Sequence, residues 1–216
     1  MLFNTIDFVI FFFLVVGIIT ILKYRRFQHI FIIFASVFFL YYTNSYLVVI
    51  LIFTILFHYY IGRQIYKADS KDGKKIFLIA GLAGSLGLLG FFKYADFAIA
   101  QFNIFGNFVD LGSEIPLLNL ALPIGISFYT FQSISYIIDI YRGNLTPSKT
   151  LREYAFFVAF FPTLVAGPIL RARQFLPQLR EKIEQSNTTG RLRQFVIQYS
   201  NLKFGLTLMA LGFLKK

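Results

Sequence analysis

Between Arg26 and Arg63 lie 36 consecutive residues with no Asp, Glu, Lys or Arg. A bilayer core of about 30 Å is crossed by roughly 20 helical residues, so this run is too long for one crossing and long enough for two. Within it, "YYTNSY" (Tyr41 to Tyr46) supplies a polar, turn-like break. Two membrane helices are therefore expected, near 29–42 and 45–62, and a single water-soluble core is excluded.

The rest of the chain agrees. Only 14% of the 216 residues are charged, against roughly 25% in soluble domains. The net charge of +11 sits in short Lys and Arg clusters between apolar runs rather than along one polar face, which argues for membrane anchoring and against nucleic acid. With no cysteine, the chain has no disulfide, no thiolate nucleophile and no thiolate metal ligand. Met1 to Asp7 carries no positive charge, and the cluster Lys23, Arg25, Arg26 follows the first apolar run, so 2–22 reads as a retained span rather than a cleaved signal. Further spans are expected at 76–92, where Gly81, Gly84 and Gly87 stand three apart, and at 123–141.

Charge asymmetry orients these helices. The loops Lys23 to Arg26, Arg63 to Lys75 and Arg142 to Arg152 are basic, whereas Lys93 to Leu122 holds one Lys against Asp96, Asp110 and Glu114. The positive-inside rule places the basic loops in the cytoplasm and the N-terminus outside.

The run Tyr154 to Leu170 has 17 uncharged residues, yet it contains Pro162, Gly167 and Pro168. Proline removes a backbone donor and clashes with the preceding turn, and in hydrocarbon each freed group needs a partner inside the protein. Arg171 to Arg193, which follows, holds six Lys or Arg against Glu181 and Glu184, so both flanks of the run are expected on the cytoplasmic side. A run with both ends on one side does not cross once, so 154–170 is expected to enter and turn back as a re-entrant, broken helix or to form two short oblique helices; the plainer alternative, a kinked ordinary span, would place those six cations outside. Beyond it, Leu192, Phe195, Val196, Tyr199, Leu202, Leu206 and Met209 recur three or four apart, the pattern of an amphipathic interfacial helix over 191–209. The fold class expected is an all-α polytopic transmembrane bundle.

Chemistry-bearing residues are few. On the 123–141 helix, Tyr129, Gln132, Ser133, Tyr136 and Asp139 share one face. Polar groups in a span face the bundle interior or a wet cavity, and an intramembrane acid is a functional candidate by default. The plainer alternative pairs Asp139 with Arg142 three residues on, and makes the other four inter-helix glue. His29 and His58 lack the clustered carboxylate or nucleophile that a catalytic base or a metal site requires, so neither a catalytic residue nor a metal ligand is assigned in this chain. No Walker-type loop, Gly-x-Ser-x-Gly elbow or internal repeat is present.

Three ordered blocks, "LGLLGFFKYADF" (86–97), "LPIGISFYTFQSISYIIDIYRG" (122–143) and "FFPTLVAGPILRARQFLPQL" (160–179), resemble the membrane-bound O-acyltransferases. The branch they resemble contains alginate O-acetylation proteins, peptidoglycan O-acetyltransferases and the teichoic acid D-alanyl transferase. The resemblance covers residues 1–216 as the N-terminal half of such a domain; family members are about twice as long, and their catalytic histidine lies in the C-terminal half. It implies a multi-pass enzyme of the bacterial cytoplasmic membrane. An acyl group would pass from an acyl-CoA or acyl-carrier thioester toward an extracytoplasmic polysaccharide, with an extracytoplasmic partner protein and no bound cofactor. Pro162, Gly167 and Pro168 would then shape a substrate path, and Arg171 and Arg173 would meet donor phosphates or simply anchor the chain. This portion alone is expected to be inactive. Two rival readings are a component of a transporter or channel, which also uses broken helices, and an inactive membrane scaffold.

Overall fold

The computed structural model of the chain describes residues 5–22, 24–44, 48–108, 115–123, 125–164, 170–188 and 199–214, and all regular structure among them is helical. In order these are α1 (Ile6–Ile21), α2 (Arg25–Asn44), α3 (Val48–Lys67), α4 (Lys71–Phe108), α5 (Ile126–Tyr141), α6 (Leu151–Ala159), α7 (Phe161–Leu164), α8 (Ala172–Thr188) and α9 (Tyr199–Leu214). Residues 33–178 form one compact unit, and residues 1–32 with 179–216 form another.

In the larger unit, α3, α4 and α5 pack against one another and α6 packs on α3 and α5. The burial pattern follows the helical period. On α3, Leu51, Ile55, His58, Ile61, Gly62 and Ile65 are buried, while Val49, Phe53, Leu56 and Tyr60 on other faces are exposed. Exposed apolar faces on this scale are unfavourable in water and suit a hydrocarbon solvent. Both α3 and α4 are long and apolar enough to cross a membrane. Between helices in lipid, close packing supplies much of the attraction. At Gly81 on α4 a Cβ would lie 2.7 Å from Ile137 Cδ1 and 3.0 Å from Ile61 Cγ2, so a larger residue there would have to displace the end of Ile137 and press on Ile61.

The expected 76–92 helix lies within α4, which continues to Phe108 and, with 38 residues, rises about 57 Å. Lys93 and Asp96 mark where hydrocarbon burial becomes costly, but a charge does not end a helix, and no proline or turn sequence follows until after Phe108. A return segment is tied to this extension. Asp96 accepts from the backbone N–H groups of Leu118 (2.8 Å) and Leu120 (3.3 Å), and the Asn103 amide exchanges two hydrogen bonds with the Ile115 backbone at 2.8 and 2.9 Å.

Both ends of α5 are fixed by glycine. Gly125 precedes the helix at φ 78°, and its α-carbon faces the Leu164 carbonyl so closely that a Cβ would collide with it. At the other end Gly143, φ 76°, gives its N–H to Ile140 O (3.0 Å) while Asn144 N–H reaches Asp139 O (2.9 Å), the paired bonds of a Schellman stop.

The run expected as re-entrant is broken. Helix α6 starts with a Thr150 cap that accepts from Glu153 N–H (3.2 Å), while Glu153 Oε2 accepts from Lys149 N–H (2.8 Å). It ends at Phe160, whose ψ of 105° turns the chain out of the helix. Pro162 explains the stop. In a continuous helix its ring would clash with the Val158 carbonyl, whereas in the first turn of α7 it needs no donor. The N–H freed at Phe161 donates to Ser36 Oγ of α2 at 3.2 Å. Nine residues in α6 and four in α7 rise roughly 14 and 6 Å, so neither crosses ~30 Å of hydrocarbon. Gly167 and Pro168 lie outside the described residues.

In the smaller unit, Gln28 folds its amide onto the carbonyls of Ile19 (3.1 Å) and Leu22 (3.2 Å), closing the C-terminal end of α1. Along α1, Ile6, Ile10, Phe13 and Leu14 are exposed, and Phe11 and Val15 are buried. Of the expected interfacial helix over 191–209, residues 191–198 lie outside the described residues; from Tyr199 the chain is helical, with Phe204, Leu206, Leu208 and Leu211 exposed.

Candidate functional site in the polar face of α5

Tyr129, Gln132, Ser133, Tyr136 and Asp139 are all buried, between 0 and 8% exposed. Their spacing puts them on the face of α5 that meets α3 and α6. Two of the five are spent on structure. Gln132 donates to the Phe157 carbonyl of α6 at 2.7 Å, and the Tyr136 hydroxyl accepts from Ser148 N–H at 3.0 Å. The Tyr136 ring also packs at 4.4 Å from that of Tyr154 and fills the space beside Gly62.

The rest of the face is chemically unspent. The hydroxyls of Tyr129, Ser133 and Tyr154 are buried and have no hydrogen-bond partner. Ser133 is one turn from Tyr129, and its hydroxyl faces that of Tyr154 without completing a well-formed bond. Unsatisfied buried hydroxyls cost about 1–3 kcal/mol each, so these are groups that a water or a polar guest would satisfy. Tyr154 was not singled out by the sequence; its clue was a lone tyrosine in an otherwise apolar run. Asp139 makes no ion pair with Arg142.

His58 is buried as well, and both ring nitrogens are engaged. Nδ1 lies 2.8 Å from the Thr54 carbonyl and Nε2 lies 2.6 Å from Ser85 Oγ on α4. A carbonyl only accepts, so Nδ1 donates to Thr54, while the Ser85 hydroxyl that lies against Nε2 also reaches the Gly81 carbonyl of its own helix at 2.5 Å. With Ser85 and His58 at 3 and 1% exposure, this pair is a link between α3 and α4. Pro162 is partly buried at the break, while Arg171 and Arg173 are exposed where α8 begins, and nothing in the structure brings them to the α5 face. Among the described residues no three of His, Cys, Asp and Glu converge on a metal-sized site.

The sequence is similar to those of several known proteins. The chain is 32% identical to the peptidoglycan O-acetyltransferase of Helicobacter pylori, over all of this chain and 44% of the relative. It is 35% identical to the probable alginate O-acetylase AlgI of Pseudomonas syringae, over 89% of this chain and 35% of that protein. It is 33% identical to the teichoic acid D-alanyltransferase of Bacillus subtilis, over 47% of this chain and 23% of the relative. The chain thus spans less than half the length of the curated relatives it matches. No protein-family model matches it. No solved structure matches it.

Proposed function

The chain is homologous to membrane-bound O-acyltransferases along its whole length, and on that premise we propose that the protein carrying it moves an acyl group, acetyl in the first instance, from a cytoplasmic thioester to a hydroxyl of an extracytoplasmic cell-envelope polysaccharide. The thioester carbon–sulfur bond breaks, the acceptor oxygen forms the new ester, and the acceptor's proton ends on the departing thiol. The observation that carries this reading is the match to a peptidoglycan O-acetyltransferase over the entire chain. The matched relatives also place the chain in a membrane, which agrees with the apolar outer faces of α1, α3 and α4.

Each part then has a role. The Arg63 to Lys75, Arg142 to Arg152 and Arg171 to Arg193 segments face the cytoplasm of a bacterial inner membrane, with the N-terminus outside. The 154–170 run enters from the cytoplasm and returns, and the break at Phe160 with Pro162, Gly167 and Pro168 opens a path inside protein. The hydroxyls of Tyr129, Ser133 and Tyr154, with Asp139, give that path its polar lining. Arg171 and Arg173 meet the donor from the cytoplasmic side, and an acyl-transfer partner receives the group outside. Neither histidine serves as the base: His29 and His58 are 2 and 1% exposed, and the His58 ring nitrogens are occupied.

The test is chemical. Deleting the gene should lower the acetate that mild base releases from purified envelope polysaccharide, and restoring the gene should bring it back. Ester content that stays the same in the deletion strain would refute the proposal.

A further inference from the structure

The C-terminal turn of α3 and the α5–α6 connection border an open recess of about 250 Å³ lined by Arg63, Tyr66, Lys67, Pro147, Ser148 and Lys149, of which Arg63, Tyr66, Lys67 and Lys149 are exposed. Three of the six are cations, and two come from one segment while the third comes from another 82 positions later in the sequence, Lys67 against Lys149. Among the described residues no carboxylate pairs with Arg63, Lys67 or Lys149. Arg63 donates instead to the Tyr59 hydroxyl at 2.9 Å and lies over its ring. Glu153 accepts from the Lys149 backbone N–H at 2.8 Å.

Ser148 supplies a second, independent sign. It is 2% exposed and lines the recess, its N–H is held by the Tyr136 hydroxyl, and its Oγ has no partner. A buried hydroxyl beside unpaired cations lacks an acceptor, and the group that satisfies both is an anion with several acceptor oxygens. Repulsion among three positive side chains in one wall is likewise relieved by a multiply charged guest.

We infer that this recess binds a phosphate group, with Lys67 and Lys149 supplying charge, Arg63 a planar donor fork and Ser148 Oγ a hydroxyl donor. A tetrahedral phosphate offers several acceptor oxygens to such donors, and a recess of about 250 Å³ has room for a mono- or diphosphate. The ring of Tyr66 and the face of Pro147 leave an apolar wall for whatever the phosphate is attached to. Two carriers present this chemistry at a membrane surface, a soluble phosphorylated molecule and a phospholipid headgroup. The inference goes beyond the acyl-transfer reading and does not depend on it, since it concerns binding alone.

The full chain reconstituted in phosphatidylcholine nanodiscs should bind coenzyme A or inorganic phosphate, measured by calorimetry. A parallel arm counts phosphatidylglycerol molecules that stay with the protein through purification from mixed-lipid membranes. Lys67→Gln with Lys149→Gln should weaken binding in the responding arm by about tenfold or more, the loss expected for charge-assisted hydrogen bonds. Ser148→Ala should weaken it severalfold, and Lys67→Arg with Lys149→Arg should restore most of it. Lys71→Gln with Lys75→Gln, in the first turns of α4 and outside the recess lining, should leave it unchanged. A response in the soluble arm identifies a soluble donor of phosphate, and one in the lipid arm identifies a headgroup. If neither arm depends on Lys67 and Lys149, or if the Lys71 and Lys75 pair weakens binding equally, the site does not exist.

Discussion

At the scale of single residues, Gly125 and Gly87 make opposite predictions although both are glycines in or beside a helix. Gly125 has φ 78° and abuts the Leu164 carbonyl, so Gly125→Ala carries both the left-handed backbone penalty of about 1 kcal/mol and a collision with main chain that cannot move aside. Gly87 has nothing within 4 Å of its missing Cβ, and Gly87→Ala should stabilise α4 by up to about 1 kcal/mol. Thermal unfolding in detergent should show the first variant falling and the second holding or rising. Tyr154→Phe tests the unspent hydroxyls. It removes an oxygen that the protein itself does not satisfy, so the melting temperature should hold or rise while acyl transfer falls. A drop in melting temperature with transfer unchanged would make the Tyr154 hydroxyl structural. The polar stripe on α5 was legible because Tyr129, Gln132, Ser133 and Tyr136 repeat at the helical period. Their division into bonded and unspent groups was not, since that depends on Phe157 and Ser148 from a different part of the chain.

Among elements, the α6–α7 break carries the most information. A proline in a long apolar run announces an interruption, but not where the stranded N–H goes. Here Phe161 N–H finds Ser36, 125 positions earlier, a partner that no local pattern reveals. Ser36 is fully buried, so Ser36→Ala leaves that N–H without an acceptor and should cost about 1–3 kcal/mol of stability. Ser36→Thr, which keeps the oxygen, should recover part of it. Equal melting temperatures for wild type and Ser36→Ala would mean that the break is satisfied some other way. The length of α4 was illegible for a related reason. Lys93 and Asp96 report the solvent around the helix, and the helix itself is set by backbone propensity and by the Asp96 and Asn103 bonds to the return segment. The basic recess required the end of α3 and the α5–α6 connection to be read together; both were recognisable as cationic, and only the side of the membrane expected for both pointed to their meeting.

For the whole molecule, orientation and activity are joined. If Arg63 to Lys75 and Arg171 to Arg193 share the cytoplasmic side, Ser70→Cys and Ser186→Cys in this cysteine-free chain should both resist an impermeant thiol reagent in intact cells and both react after permeabilisation. Labelling of Ser186→Cys alone in intact cells would make the broken run a crossing and not a re-entrant segment. Vectorial acyl transfer, as proposed, is measured directly in membrane vesicles of defined sidedness. Vesicles from source cells would be given an acetyl thioester labelled in its acetyl group, and ester-linked label on polysaccharide would be counted against vesicles from the deletion strain. Gene-dependent label should form when the cytoplasmic face is exposed to the donor and be absent when only the outer face is. Gene-independent label, or equal labelling from both faces, would contradict the account.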